Sequence, residues 1–468
     1  MESLRPRQIA SYGAGAVLAF HLAYCFPSAA VLMIGYLFCV MQLARAATRR
    51  QAYYSGLIVG VLCFGPQLAF FWRIFGPGAL ALYYVLAFWT ALFVVMGRAC
   101  LLRWGPLFTA ALLPFIWTGI EYFRSELYYL RFSWLNIGYA FSGEIPAGIF
   151  AFLGMYGIGF AAATLAAALL FLRGRLKPAQ FTFSVLLLAI GFGIFALWPG
   201  QKLSHPAPAP TAKSVAVAGV QLEFPTDDDV IAALNRLLKS SPETELFVLS
   251  EYTFQDVVPP RVKRWCHEHQ RYLIVGGKDP AGPLNFYNTA FVVDPTGEIV
   301  FRQPKKVPIQ FFKDGLAAPE QNVWESPWGR IGLGICYDMS YTRVTDALIR
   351  RGAQTLIVPT MDVADWGQAQ HELHARVAPV RAAEYGVPIF RVANSGISQL
   401  VGADGRVLAS AGFPGDREAL SGHLVLGKAG SLPVDRWLAP FATGLTVLLM
   451  AWLISTRRTQ PPSAQSPK

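Results

Sequence analysis

Apolar residues run in long, barely interrupted stretches as far as Gly200, then give way to short apolar runs separated by polar ones. The long stretches are Ala10–Pro27, Ala29–Leu43, Tyr54–Phe71, Leu80–Leu102, Phe108–Ile120, Ile145–Leu172 and Phe181–Trp198, with a last one at Trp437–Ile454. Most approach the length a helix needs to cross the hydrocarbon of a bilayer. The first two are short and divided by Pro27, so their limits are the least defined. The pattern predicts a polytopic α-helical membrane domain of about eight transmembrane helices. About seven of these fall in residues 1–200 and the last in 436–455.

Between them the periodicity changes. Residues 201–212, with Pro206, Pro208 and Pro210, read as a stiff Pro-rich linker. Residues 213–430 then alternate strand-like and helix-like segments. Strands are expected at Val215–Leu222, Leu246–Ser250, Leu273–Gly276, Ile331–Ile335, Thr355–Val358 and Ile389–Ala393. Asn288–Val293 and Ile299–Arg302 form a hairpin around Asp294–Gly297, and Gln399–Leu408 is a strand bent at Asp404-Gly405. Helices are expected at Asp228–Leu238, Val262–His269 and Thr342–Arg351, with one long helix at Gln368–Glu384. Strands alternating with helices, plus hairpins, predict an α/β sandwich rather than a bundle. Residues 459–468 read as a disordered tail.

Composition excludes several classes. A chain that is 54% hydrophobic and 15% charged, with mean hydropathy +0.38, is not intrinsically disordered. Six cysteines among 468 residues do not make a disulfide-rich scaffold, and no structural disulfide is expected. The net charge of +11 taken alone would suggest a nucleic-acid partner. Its placement argues otherwise. Arg5 and Arg7 precede the first stretch; Arg45, Arg49 and Arg50 follow the second; Arg98 and Arg103 end the fourth. Arg173, Arg175 and Lys177 follow the sixth, and Arg457 and Arg458 the last. With eight crossings all these clusters share one side, which the positive-inside rule makes cytoplasmic. Both termini are then cytoplasmic and residues 213–430 extracytoplasmic. A cleaved signal peptide is not expected, because more apolar sequence follows the first stretch.

Reactive groups in an α/β domain gather at strand ends. Glu251 ends Leu246–Ser250, Cys336 ends Ile331–Ile335, and Lys305 follows the hairpin after Pro304. Each is ordinary alone: a helix cap, a small core residue, a solvated amine. Together they supply the base, the positive donor and the nucleophile of acyl transfer. Other candidates are weaker. His371 and His374 beside Glu372 lack zinc-protease spacing and read as a satisfied helix surface, and Gly276-Gly277-Lys278 lacks the rest of a phosphate loop. Cys25, Cys39, Cys63 and Cys100 read as packing residues of the membrane stretches. Glu121 and Arg124 fit headgroup contacts or a mutual ion pair.

Leu249-Ser250-Glu251, Lys305 at the family spacing from Gly297, and Gly334-Ile335-Cys336-Tyr337-Asp338 resemble the Glu-Lys-Cys pattern of the nitrilase, or carbon-nitrogen hydrolase, superfamily. That resemblance implies an α-β-β-α sandwich. A second set resembles the apolipoprotein N-acyltransferase family more specifically. It comprises Trp117-Thr118-Gly119-Ile120-Glu121-Tyr122-Phe123-Arg124 and Phe132-Ser133-Trp134-Leu135-Asn136-Ile137-Gly138-Tyr139. It continues in Trp366-Gly367, Gln370-His371, Ala375-Arg376, Arg381-Ala382-Ala383-Glu384 and Asn394-Ser395-Gly396-Ile397.

The resemblance implies a ping-pong transfer at the outer face of the bacterial inner membrane. Glu251 would deprotonate Cys336, which would take an acyl chain from a phospholipid, typically phosphatidylethanolamine. Lys305 and the backbone N–H of Tyr337 would hold the oxyanion, with Asp338 in support. The thioester would pass to the amine of a diacylglyceryl-modified apolipoprotein, with Trp366 and Trp134 contacting substrate. A monomer in the bilayer, without nucleic acid, metal or cofactor, is implied. Departures mark a divergent chain. The family's Glu, a few residues beyond its lysine, is absent from Lys305-Lys306-Val307-Pro308-Ile309-Gln310-Phe311, and Asp314 is the nearest substitute. Asp338 stands where Glu is common, and Met361-Asp362-Val363-Ala364-Asp365-Trp366 replaces an Asn-Asp-Ala-Trp string. A membrane-tethered amidase with the same three residues, or a non-catalytic lipid-binding module, remains the alternative.

Overall fold

The computed structural model describes residues 3–143, 147–177, 179–180, 213–415 and 417–456. The expected stretch Phe181–Trp198, the 201–212 linker and the 459–468 tail lie outside the described residues.

The helical region contains Pro6–Cys25, Leu32–Gln42, Arg49–Gln67, Phe71–Phe75, Ala79–Tyr122, Ala147–Arg173 and, from the far end of the chain, Asp435–Ser455. Three stretches are long and apolar enough to cross a membrane: Phe71–Leu127, Ala147–Arg173 and Asp435–Ser455. The first is folded double. Gly105, at φ 73° and ψ −175°, interrupts the helical backbone. The rings of Phe93 and Trp117, on either side of it, then meet 5.1 Å apart. The sequence stretches Leu80–Leu102 and Phe108–Ile120 are thus the two arms of a helical hairpin. Small residues let the helices approach closely: a Cβ on Gly60 would stand 2.6 Å from the Cα of Ala87, and one on Gly56 2.8 Å from that of Ala91. Packing of small residues against each other is the usual contact between helices in lipid, where apolar surface alone gives no preference for protein over solvent.

The α/β region is a sandwich of two six-stranded sheets. In chain order the strands are β1 Lys213–Val220, β2 Leu246–Val248, β3 Tyr272–Pro280, β4 Phe286–Val293, β5 Ile299–Pro304 and β6 Val323–Ser326. They continue as β7 Gly329–Leu333, β8 Thr355–Thr360, β9 Ile389–Ala393, β10 Ser398–Val401, β11 Val407–Ala411 and β12 Ala419–Leu426. One sheet runs β12-β1-β2-β3-β4-β5 and the other β11-β10-β9-β8-β7-β6. Each has a parallel centre, β1-β2-β3 or β7-β8-β9, and antiparallel flanks. Alternation along the strands builds the layers. Ala218, Val220, Phe247, Leu249, Leu273 and Val275 pack under helices Asp227–Ser240 and Pro260–His269. Their neighbours Val217, Leu246, Val248 and Ile274 join the core shared with the other sheet, which runs on into the helical region.

Three expectations need correction. The helix expected at Gln368–Glu384 is two, Gln368–Ala375 and Val377–Tyr385. Pro379 has no N–H to give the carbonyl of Ala375 and its ring crowds that carbonyl, so the first helix stops there. The bent strand at Gln399–Leu408 is a hairpin of β10 and β11, closed by Gly405 at φ 78°. Strands β6 and β12 were not expected; β6 is four residues long, and in β12 Gly422 and His423 break the apolar pattern.

The two regions hold each other by their helix ends. The backbone N–H groups of Met155 and Tyr156, which follow the non-helical Gly154, donate to Glu384 Oε1 at 2.6 Å and Asp435 Oδ2 at 2.9 Å. In return Glu126 Oε1 accepts from the N–H and hydroxyl of Thr342, both at 2.9 Å, at the start of helix Thr342–Arg350. Arg381 pairs with Glu384 at 2.6 Å, and Arg436 with Asp346 at 2.8 Å and Asp435 at 2.6 Å. Glu121 and Arg124 also serve internally: they lie 3.9 Å apart, and Arg124 donates to Asn136 at 2.8 Å. Removing one partner of a buried, hydrogen-bonded charge pair costs about 3–5 kcal/mol. Glu384→Ala, which removes the carboxylate partner of Arg381 and of the Met155 N–H, is therefore expected to lower the thermal unfolding midpoint of the detergent-purified chain by several degrees. An unchanged midpoint would contradict the interlock.

Candidate active site

Strand ends and the loops beyond them bring Glu251, Lys305 and Asp314 into one buried cluster. The Lys305 ammonium lies 2.8 Å from Glu251 Oε1 and 2.8 Å from Asp314 Oδ2, and all three side chains are almost wholly buried. Asn288 bridges the two carboxylates, donating to Glu251 at 2.6 Å and Asp314 at 2.8 Å. Glu251 Oε2 also accepts from the N–H of Met361 at 2.8 Å. Asp314 is fixed by the Tyr252 hydroxyl and the Ile309 N–H, each at 2.8 Å. The nearest carboxylate to the missing Glu is thus in contact with the lysine.

Cys336 sits at the turn after β7 in the left-handed region, φ 49°, a strained conformation for a side chain with a Cβ and one that concentrates at functional sites. Asp338 holds the turn. Its carboxylate accepts from the N–H groups of Ile335 at 3.2 Å, Lys306 at 3.1 Å and Val307 at 2.7 Å, tying the cysteine turn to the lysine loop. The Cys336 thiol points to the Met361 carbonyl at 3.6 Å.

Burial and charge set the protonation states. Burial, and then the Glu251 carboxylate, push the Cys336 thiol well above its usual range, while Lys305 pulls it back. Burial would lower the Lys305 ammonium, but Asp314 and Glu251 outweigh it and hold it well above the usual range. Burial raises Glu251 against the pull of Lys305. Burial would raise Asp314 too, yet Lys305 leaves it below the ordinary carboxylate range. Asp338 is pushed up to about 6 by burial. A thiol beside a carboxylate and a fixed ammonium is equipped for covalent acyl chemistry.

Cys336 opens onto a cavity of about 840 Å³, part of it continuous with the outside. Phe70, Phe71, Leu82 and Leu86 of the helical region form one wall; Cys336, Tyr337, Trp366 and His374 belong to the other. Glu251 and Lys305 are not in the wall. Trp134 links the two sides: its ring stacks on His374, centroids 4.6 Å apart, and its indole N–H donates to Ser340 at 2.9 Å. Ser133 donates to the Ser340 carbonyl at 3.3 Å, the Tyr337 hydroxyl to that of Arg131 at 3.2 Å, and Arg381 to the Tyr139 hydroxyl at 3.2 Å. The Phe132–Tyr139 string is therefore a docking loop under the cysteine turn. At the mouth, Phe312 lies 5.7 Å from Phe75 and 6.1 Å from Trp366, ring to ring.

The histidines were misread as a satisfied helix surface: His371 and His374 are both buried. Their helix packs beneath the loop from Met361, and its polar face is covered by Asp362. Asp362 accepts from His374 Nδ1 at 2.8 Å and Gln370 at 2.9 Å, and it contacts Arg391. Cys336, Asp362 and a ring nitrogen of His374 lie within 4.8 Å of one another, donor types a cation could use, but the Asp362 oxygens are already taken by these three donors. Asn288 was also overlooked. Its signal was there, since Asn288 and Thr289 are polar residues within an apolar strand and both are fully buried. All six cysteines are free, with Cys25 exposed rather than packed.

Residues 12–168 match the family model for the apolipoprotein N-acyltransferase N-terminal domain, and residues 242–431 that for carbon-nitrogen hydrolases. The chain is 28% identical over 421 residues to an apolipoprotein N-acyltransferase of Azotobacter vinelandii, covering 81% of this chain and 80% of that one. It is 26% identical over 361 residues to an apolipoprotein N-acyltransferase of Geobacter metallireducens, 68% of each. A shorter likeness, 30% over 125 residues, is to an omega-amidase of Mus musculus, 24% of this chain and 45% of that one.

The electrostatics of the thiol can be read with a small neutral thiosulfonate and peptide mass analysis. Below its raised pKa, the Cys336 thiolate fraction climbs about tenfold per pH unit. Modification of Cys336 is thus expected to keep accelerating beyond pH 9. Glu251→Gln removes a negative neighbour and should speed it at fixed pH, and Lys305→Met should slow it. The opposite order would refute the charge assignment.

Proposed function

Since the chain belongs to the apolipoprotein N-acyltransferase family and is an N-acyltransferase, we propose that it carries an acyl chain on Cys336 from a phospholipid to the amine of a diacylglyceryl-modified apolipoprotein. The observation that carries this reading is the cavity. A soluble amidase has no need of membrane-helix residues in its wall, whereas here Phe70, Phe71, Leu82 and Leu86 line the space that ends at Cys336. A chain lying in hydrocarbon reaches that space laterally without its apolar surface entering water.

In this reading Glu251 takes the thiol proton as sulfur attacks the ester carbonyl of the donor, with phosphatidylethanolamine as the phospholipid. The Lys305 ammonium and the Tyr337 N–H stabilise the oxyanion. Collapse expels a lysophospholipid, which takes the proton from Glu251, and leaves a thioester. Asp314 replaces the absent family glutamate by holding Lys305 together with Glu251. Trp366 and Phe312 contact substrate at the mouth, and Trp134 forms the floor. Amine attack on the thioester completes the cycle.

The same reading sets the topology. Eight crossings, with residues 1–200 and 436–455 in the inner membrane and both termini cytoplasmic, put residues 213–430 and the Cys336 cavity on the periplasmic side. The folded-back pair at Gly105 and the basic clusters at Arg45–Arg50, Arg98–Arg103 and Arg173–Lys177 support it. The omega-amidase likeness favours a second reading, in which water replaces the amine and the chain hydrolyses acyl substrates.

Phospholipid with a labelled acyl chain separates them. The full chain in detergent is expected to acquire hydroxylamine-labile label, absent from Cys336→Ala; no label on the wild type would sink the proposal. Adding a diacylglyceryl-cysteine peptide should move the label into an amide, and label found only as free acid would establish the hydrolase instead. The pH dependence of loading carries a sign. Glu251 must be ionised, and both burial and the Asp314 charge raise its pKa. Asp314→Asn removes one of these, so the acid limb of the loading profile should move to lower pH. An upward shift would contradict the role given to Glu251.

A further inference from the structure

Resting on that reading, we infer that His374, oriented by Asp362, is a second general base that takes the proton of the incoming amine when the Cys336 thioester is discharged. Three observations converge on it. The Cys336 sulfur, an Asp362 oxygen and a ring nitrogen of His374 lie within 4.8 Å of one another, all buried. The Asp362 carboxylate, which can only accept, stands 2.8 Å from His374 Nδ1, closer than the Arg391 guanidinium at 3.1 Å, and on that ground we assign the proton to Nδ1 and the lone pair to Nε2. Nε2 is buried and has no hydrogen-bond partner among the described residues, while the side chain lines the cavity.

Position separates the two bases. Glu251 is outside the cavity wall, whereas His374 is part of it. A lipid-borne amine enters through the cavity, whose wall includes His374. A free α-amine must lose one proton as its nitrogen becomes an amide nitrogen, so discharge needs an acceptor on that side. The groups acting on the ring are Asp362, Arg391, Lys305 and His371; burial lowers its pKa, which keeps the imidazole neutral with its lone pair free. Once protonated, it lies face to face with the indole of Trp134, an arrangement that stabilises a cation.

The step balances. The free amine forms its C–N bond to the thioester carbonyl carbon and gives one proton to Nε2. The tetrahedral intermediate collapses, the C–S bond breaks, and Cys336 leaves as thiolate. The imidazolium then returns that proton to the sulfur, restoring thiol and neutral His374.

The test measures the two half-reactions separately on the full chain in detergent, using labelled phosphatidylethanolamine for loading and a diacylglyceryl-cysteine peptide for discharge. His374→Gln should slow discharge about 100-fold more than loading, within the usual range for loss of a general base. In His374→Gly, added imidazole should restore discharge, with a rate that rises with the neutral imidazole concentration. Asp362→Asn, which keeps the ring but removes its anchor, should show the same imbalance. Equal slowing of both half-reactions, wild-type discharge in His374→Gln, no rescue by imidazole, or loss of loading in all three variants would each overturn the inference. A wild-type chain that never loads is a different result, since it removes the acyl-enzyme reading itself.

Discussion

A helix that begins inside a protein must find partners for its first N–H groups, and that requirement joins the two halves of this molecule. The helix continuing after Gly154 meets it with carboxylates from elsewhere: Glu384 from the sandwich and Asp435 from the last helix. Helix Thr342–Arg350 of the sandwich meets it with Glu126 from the helical region. Water has no access to these ends, so neither half can be withdrawn without stranding backbone donors and charges. Gly154 belongs to the same device, because a Cβ there would stand 2.2 Å from an Asp435 oxygen.

The site follows from that fixed relation. The Phe132–Tyr139 loop is pressed under the Cys336–Ser340 turn, and a cavity forms with helix residues on one side and the cysteine on the other. The charged groups Glu251, Lys305 and Asp314 stay behind the wall, where low dielectric strengthens their mutual attraction. A largely aromatic and aliphatic front with the ionic cluster behind would suit the proposed lipid acyl chemistry, the acyl chain lying against Phe and Leu side chains and the carbonyl nearest the charges.

Much of this was legible in the sequence, for identifiable reasons. Short apolar runs placed the central strands within a few residues, because β1, β2, β3, β8 and β9 are largely buried on both faces. Glu251 and Cys336 stood out because each ends such a run, and Lys305 because it follows the hairpin strand. What escaped depends on tertiary contact. Pro379 is a local stop signal masked by an apolar pattern that continues past it, whereas nothing local says that β12 exists, since its partner β1 lies far away in the chain. His374 looked like surface because its cover, Asp362 and Trp134, comes from two distant loops. Asn288 needed the hairpin register to bring it to the lysine, whereas Asp314 was already the nearest substitute in the sequence.

The claim on which the account turns is that the cavity between the halves is the path of the acyl chain. A phospholipid bearing a photoreactive group near the end of its acyl chain tests it directly, with cross-linked peptides mapped on the Cys336→Ala chain so that substrate is held and not consumed. The account predicts cross-links to the peptides carrying Phe70, Phe71, Leu82 and Leu86, lost when one of these is replaced by a residue that fills the cavity. Cross-links confined to the outward faces of Ala147–Arg173 and Asp435–Ser455, with none in the cavity wall, would contradict it.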